Sequence, residues 1–226
     1  MAQRMMIIVS GIAALSMFAT ARMREQYSAG IWKRTAHMTG IALVVAGAAI
    51  FSAMIVPSTF WGMAAYGRLL PTWQGRLATE VTTPEKVPQV SGTPDIYCIY
   101  SAEGMNESVA VTLTRNNIRQ FHAAGKVQAS SHPGDMRLQR MLGHISALVL
   151  DDPKSVLVVA CGAGVTAGSY TRYPGIERIV ICEIEKLVPE HVAPLFEKEN
   201  YGVVHDPRTE VVSDDGRHYI RTTHEK

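Results

Sequence analysis

The sequence has 226 residues, 47% of them apolar, with 22 lysines and arginines against 20 aspartates and glutamates. So even a balance, with no long basic run, excludes a nucleic-acid binder, and the length holds one medium domain plus an anchor rather than two full domains. Three widely spaced cysteines, Cys98, Cys161 and Cys182, form neither a disulfide framework nor a zinc signature, and eight scattered histidines give no metal motif, so no metal is expected.

Composition divides the chain. Residues 1–66 are mostly apolar, small or aromatic, with charges confined to Arg4 and a short central stretch. They read as a membrane anchor of two transmembrane helices, at about 5–21 and 38–62. Met5 to Ala21 is an uninterrupted apolar run flanked by Arg4, Arg22 and Arg24, and Met38–Tyr66 is a longer one broken at Pro57. Phe60, Trp61 and Tyr66 stand where an interfacial aromatic belt is expected. A cleaved signal peptide over residues 1–22 is the alternative for the first run. The expected partner of this half is the lipid bilayer, and the expected location a multi-pass inner membrane protein with its soluble domain on the cytoplasmic side. Arg22, Arg24, Lys33 and Arg34 in the connecting loop argue for the opposite orientation, so topology stays open.

Residues 67–95 carry Pro71, Pro84, Pro88 and Pro94 and read as an extended linker. Residues 96–134 read as a small antiparallel β-unit, with alternating segments at Ile96–Tyr100, Ser108–Thr114 and Ile118–His122. An amphipathic helix follows from Asp135, a candidate N-cap, to Leu150.

Residues 135–226 have the pattern of a parallel α/β core. Ser155–Ala160 is a continuous apolar run, as in a buried parallel strand, and it enters Cys161-Gly162-Ala163-Gly164-Val165. Glycines there let the backbone turn sharply and approach a ligand, with a helix N-terminus behind them. A second strand, Arg178–Cys182, ends on Glu183, where a carboxylate can accept from both hydroxyls of a ribose. After a helix at about 188–199, a third strand, Thr209–Val212, ends on Ser213-Asp214-Asp215-Gly216, suited to an adenine amine. A glycine turn and two acidic ends at the carboxyl edge of one parallel sheet predict a nucleotide or nucleoside site. An NAD fingerprint fits less well, because Ala167 stands where its third glycine is due.

Gly125-Lys126-Val127-Gln128, the helix to His144, VLVVACGAG, VICEIE and DPRTEVVSDDGRHYI together resemble the spermidine synthase (polyamine aminopropyltransferase) family, in particular its membrane-fused bacterial branch. The likeness runs from Tyr97 to Lys226 and extends to the anchor. It implies a β-unit followed by an incomplete Rossmann-like, S-adenosylmethionine methyltransferase-type sheet. It implies transfer of an aminopropyl group from decarboxylated S-adenosylmethionine, as co-substrate, to a small-molecule amine. By the resemblance Gln128 lies near the sulfonium, Gly162 and Gly164 form the nucleoside loop, Glu183 binds the ribose, and Asp215, with Asp214 beside it, binds the adenine. Asp135 is the acid left on the helix for the amine, and a homodimer is a further expectation.

Three departures accompany the likeness. Ala163 replaces the acid that holds the aminopropyl ammonium. Gln139 and Arg140 replace a His-Glu pair on the helix, and Arg140 beside an amine pocket would repel a cation. The chain ends before the strand that carries the family's catalytic aspartate, so it reads as a truncated chain, inactive alone, with that residue beyond Lys226. Alternatives are another S-adenosylmethionine-dependent transferase, or a non-catalytic nucleoside- or polyamine-sensing module of a membrane protein.

Overall fold

The computed structural model describes residues 9–13, 16–17, 20, 40, 43–44, 46–48, 50–51, 60–88 and 92–223. Two compact units divide at Ser58/Thr59. The described residues of the first unit are helical, and their large apolar side chains, among them Val9, Ile12, Leu43 and Phe51, are 48–69% exposed. The two expected membrane helices fall largely outside the described residues, and among those described no helix is long and apolar enough to cross a membrane.

The second unit opens with α1, Trp61–Tyr66, then short helical turns, then β1, Leu77–Val81. The segment expected to be an extended linker is therefore folded in part. β1 pairs in parallel with β2, Ile96–Glu103, and Arg76 donates to Asp95 at 2.6 Å. Its prolines flank β1 rather than interrupt it, so the ladder loses no donor to them. The aromatic belt is corrected as well. Trp61 and Tyr66 are 3% and 5% exposed, packed on the sheet with Ala65, Cys98 and Ala110, and Trp61 Nε1 donates to Ala78 O. Burial of each such ring contributes on the order of 2 kcal/mol, more than an exposed interfacial position returns.

β3, Ser108–Thr114, β4, Arg119–Ala123, and β5, Lys126–Ser130, complete a five-stranded sheet of order β1-β2-β3-β4-β5. All pairs after β1–β2 are antiparallel, so the sheet is mixed rather than purely antiparallel. Both faces of this sheet are partly covered. α1 covers Ala110 on one side, while Val109, Val111 and Phe121 enter the main core on the other.

α2, Pro133–Val149, is capped by His132, whose Nδ1 accepts from Gly134 N, and not by Asp135. Pro133 sets the first turn and lacks the donor that turn would leave unpaired. The second sheet is fully parallel: β6, Ser155–Val159, β7, Arg178–Cys182, and β8, Thr209–Val212, in that order. α3, Val165–Tyr170, follows β6. The helix expected at about 188–199 forms three short pieces over 188–200, ending in α4, Glu197–Asn200, with Pro194 interrupting the α ladder. α5, Gly216–Thr222, follows β8. Register decides where function can sit: Val159 pairs with Cys182 and Cys182 with Val212, so the three carboxyl ends finish level.

Candidate functional site

The polypeptide leaves β6 through a tight turn. Ala160 N still donates to Cys182 O at 2.9 Å, and then Ala160, Gly162 and Gly164 all take positive φ, +70°, +55° and +77°. Gly164 N closes the turn on Cys161 O, and Gly164 begins α3. A Cβ on Gly162 would meet nothing within 4 Å, so this glycine is demanded by backbone conformation alone. Gly168 serves differently. A Cβ there would collide with the Asn200 carbonyl, so it lets α3 lie against α4.

Buried polar groups lock the turn. Cys161 N donates to Glu183 Oε2 at 2.7 Å, and Glu185 N donates to Glu183 Oε1 at 3.0 Å. Asn200, with no exposed surface, donates Nδ2 to Ala163 O and Ala193 O at 2.9 and 2.8 Å and accepts from Gly202 N. Burial, and then the Glu183 charge, push the Cys161 thiol up to about 12, which keeps it a neutral wall of the site.

A cavity of about 530 Å³ opens beside this turn, between β4, β5, α2 and the carboxyl ends of β6 and β7. That is room for a nucleoside with a short side chain. Of the residues expected to meet a ligand, Gln128, Gly162 and Glu183 line it, with Ala160, Cys161 and Ala163 beside them. Gln128 Nε2 donates to Ala123 O at 3.4 Å, a weak tether that leaves the amide free to turn inward.

The other expected residues lie outside the lining. Gly164 lies between the lining residues Ala163 and Val165 but faces Asn200. Asp135 accepts from Ser130 Oγ. Asp215 caps α5, its Oδ1 accepting from Arg217 N and His218 N at 2.9 and 3.1 Å. Its neighbour Asp214 accepts from His218 Nδ1 at 2.7 Å, which holds His218 above the usual imidazole range. Arg140 is also away from the cavity. Its guanidinium lies 5.4 Å from the Tyr201 ring centroid and donates to Glu199 O.

Two further lining residues were not expected to meet a ligand, though Gln139 stands out in the sequence as a departure from the family pattern. Gln139 donates Nε2 to Ser130 O and Asp135 O from α2. Glu107 arrives on the β2–β3 turn, which docks on the loop after β7 through Asn106 and Glu185, 79 positions apart. Among the described residues no group of three or more His, Cys, Asp or Glu side chains is placed to hold a metal ion.

Comparison with known proteins agrees with this arrangement. Residues 135–226 match the family model described as Spermine/spermidine synthase domain. The polyamine aminopropyltransferase of Nitrosomonas europaea is 38% identical over 74 residues, which is 33% of this chain and 23% of the relative. That of Thermotoga petrophila is 28% identical over 95 residues, 42% of this chain and 32% of the relative. The chain thus spans a third or less of these relatives' own length. The crystal structure of spermidine synthase from Thermotoga maritima superposes with a TM-score of 0.51 at 24% identity, over 55% of this chain and 43% of that one, a likeness of fold.

Proposed function

From the premise that residues 135–226 belong to the spermine/spermidine synthase family, we propose that this chain supplies the nucleoside-binding half of an aminopropyltransferase site. The co-substrate would be decarboxylated S-adenosylmethionine and the acceptor a small amine. One observation carries the reading. The glycine-turn amide of Cys161 and the carboxylate of Glu183, 2.7 Å apart, form one wall of the 530 Å³ cavity.

In this reading each Glu183 oxygen keeps a lone pair beyond its backbone bond and accepts from a ribose hydroxyl. Asp215 uses Oδ1 for its helix cap and turns Oδ2 to the adenine amine. Gln128, on β5, faces the sulfonium arm. The chemistry needs positioning more than acid or base: a neutral amine attacks the carbon next to the sulfonium, the C–N bond forms as the C–S bond breaks, and sulfur leaves with the electron pair as a neutral thioether. The positive charge passes to nitrogen in the same step.

Titration calorimetry of the full chain in detergent tests this, with decarboxylated S-adenosylmethionine as the probe. Saturable binding that Glu183→Gln weakens supports the reading, and absence of binding to the unaltered chain rejects it. Binding without transfer to any of a panel of amines would favour the sensing role over the enzyme.

Residues 1–58 we propose to be a bilayer anchor, on the support of their apolar runs and of the exposed apolar side chains of their described helical residues. The inner membrane with the second unit facing the cytoplasm is the arrangement that gives a cytosolic nucleoside access. Release of the chain into the supernatant by alkaline carbonate would contradict it.

A further inference from the structure

The charge of the cavity is one-sided. Its lining holds two carboxylates, Glu107 and Glu183, and no lysine, arginine or histidine. Glu183 is committed at both oxygens to backbone amides. Glu107 has no such commitment, for among the described residues its carboxylate has no hydrogen-bond or ion-pair partner. The glycine turn offers no other acid, since Ala163 presents only a methyl group.

Glu107 is held in place by its backbone rather than by its side chain. Gly104 N donates to Glu107 O at 2.9 Å and closes the β2–β3 turn. Asn106 N donates to Glu185 Oε2 at 2.9 Å, and Asn106 Nδ2 to Ile184 O at 2.8 Å. A Cβ on Gly104 would collide with the Glu185 carboxylate, so the turn seats flush on the loop after β7. Burial works to raise Glu185, yet the amides of Asn106, Leu187 and Glu107 hold it below the usual carboxylate range, a fixed negative charge. Burial, and then the charges of Glu183 and Glu185, push the Glu107 carboxyl above that range. A half-buried carboxylate with like charges beside it and no cation is unfavourable in the free chain. A cationic ligand removes the penalty.

We propose that Glu107 is the counter-ion for the cationic arm of the ligand, so that the cavity selects an adenosyl sulfonium bearing an ammonium over a neutral or carboxylate-bearing nucleoside. This rests on the nucleoside reading above and adds the residue that sets its charge preference. Glu107 binds and orients; it is assigned no part in bond making.

The test compares two probes on the full chain in detergent, decarboxylated S-adenosylmethionine and the neutral 5′-methylthioadenosine. Glu107→Gln is expected to weaken the cationic probe roughly tenfold and the neutral one less than about twofold, the loss of one charge-assisted contact. Equal losses for both probes, or none for either, overturn the proposal while leaving the nucleoside reading intact. Failure of both probes to bind the unaltered chain overturns both. A second measurement needs no variant: the unaltered chain is expected to bind S-adenosylmethionine, with its extra carboxylate, more weakly than the decarboxylated form. The reverse order overturns the proposal.

Discussion

Glu183 and His122 are two deeply buried polar side chains in two different sheets, and both have their hydrogen bonds accounted for. His122, with no exposed surface, sits on β4 under α1. Its Nδ1 lies 2.9 Å from Ala65 O and its Nε2 2.9 Å from Thr112 Oγ1. A carbonyl only accepts, so Nδ1 carries the proton, and the neutral ring accepts from Thr112 at Nε2. Glu183, 7% exposed, takes two backbone amides. The difference is the cavity. Glu183 forms part of its wall and His122 does not, so of two fully bonded groups only Glu183 is placed where a ligand could meet it.

If that comparison holds, damage to the frame of the turn should exceed damage to either group. Gly168→Ala sets a methyl against the Asn200 carbonyl and should cost about 3 kcal/mol or more in denaturant unfolding. A smaller loss would mean that α3 and α4 have room to part.

His122 should declare itself by pH alone. Burial pulls the imidazole from 6.5 down to about 4, so the unfolded chain binds the proton and the folded chain resists it. Stability is then full above pH 6.5 and falls as pH drops from 6.5 toward 4, by about 3 kcal/mol over that window. A His122→Gln chain should lack that component of the slope, and ligand affinity at neutral pH should be the same in both.

Glu183→Gln should act on both readouts. The amide can accept from one of the two backbone donors but presents N–H to the other, for a loss of about 2 kcal/mol. Affinity for the cationic nucleoside should fall more than about tenfold. A stability loss with unchanged binding would reduce Glu183 to a second His122.

Ala160 sharpens the point in the other direction. It holds φ +70° without being glycine, so Ala160→Gly should stabilise the chain by about 1 kcal/mol in thermal unfolding. The smallest effect belongs to Asp215→Asn. Asparagine caps a helix as well as aspartate does, so the unfolding midpoint should stay put, while nucleoside affinity falls roughly fivefold. A shifted midpoint with unchanged affinity would confine Asp215 to its cap.

The sequence made the parallel sheet legible because β6 and β7 are continuous apolar runs that stop on a glycine turn and an acid. The meeting of Gln128, Gly162 and Glu183 at one cavity follows from strand ends that finish level. β1 was hidden because LATEV lies among prolines that signal a linker. β5 was hidden because KVQAS is short and mostly exposed. The aromatic belt was misplaced because local hydropathy does not distinguish a ring at a lipid interface from one packed on a sheet. Glu107 was out of reach for another reason. It reaches the cavity through contacts between distant segments, such as Asn106 with Glu185, and no local spacing encodes that.

The most direct test of the central claim is amide hydrogen exchange on the full chain in detergent, with and without decarboxylated S-adenosylmethionine. Protection gained at residues 160–166 and 183–185 is the expected result, because the ligand would lie against the glycine turn and Glu183. Protection confined to residues 213–222, or no change at the turn under saturating ligand, would contradict it.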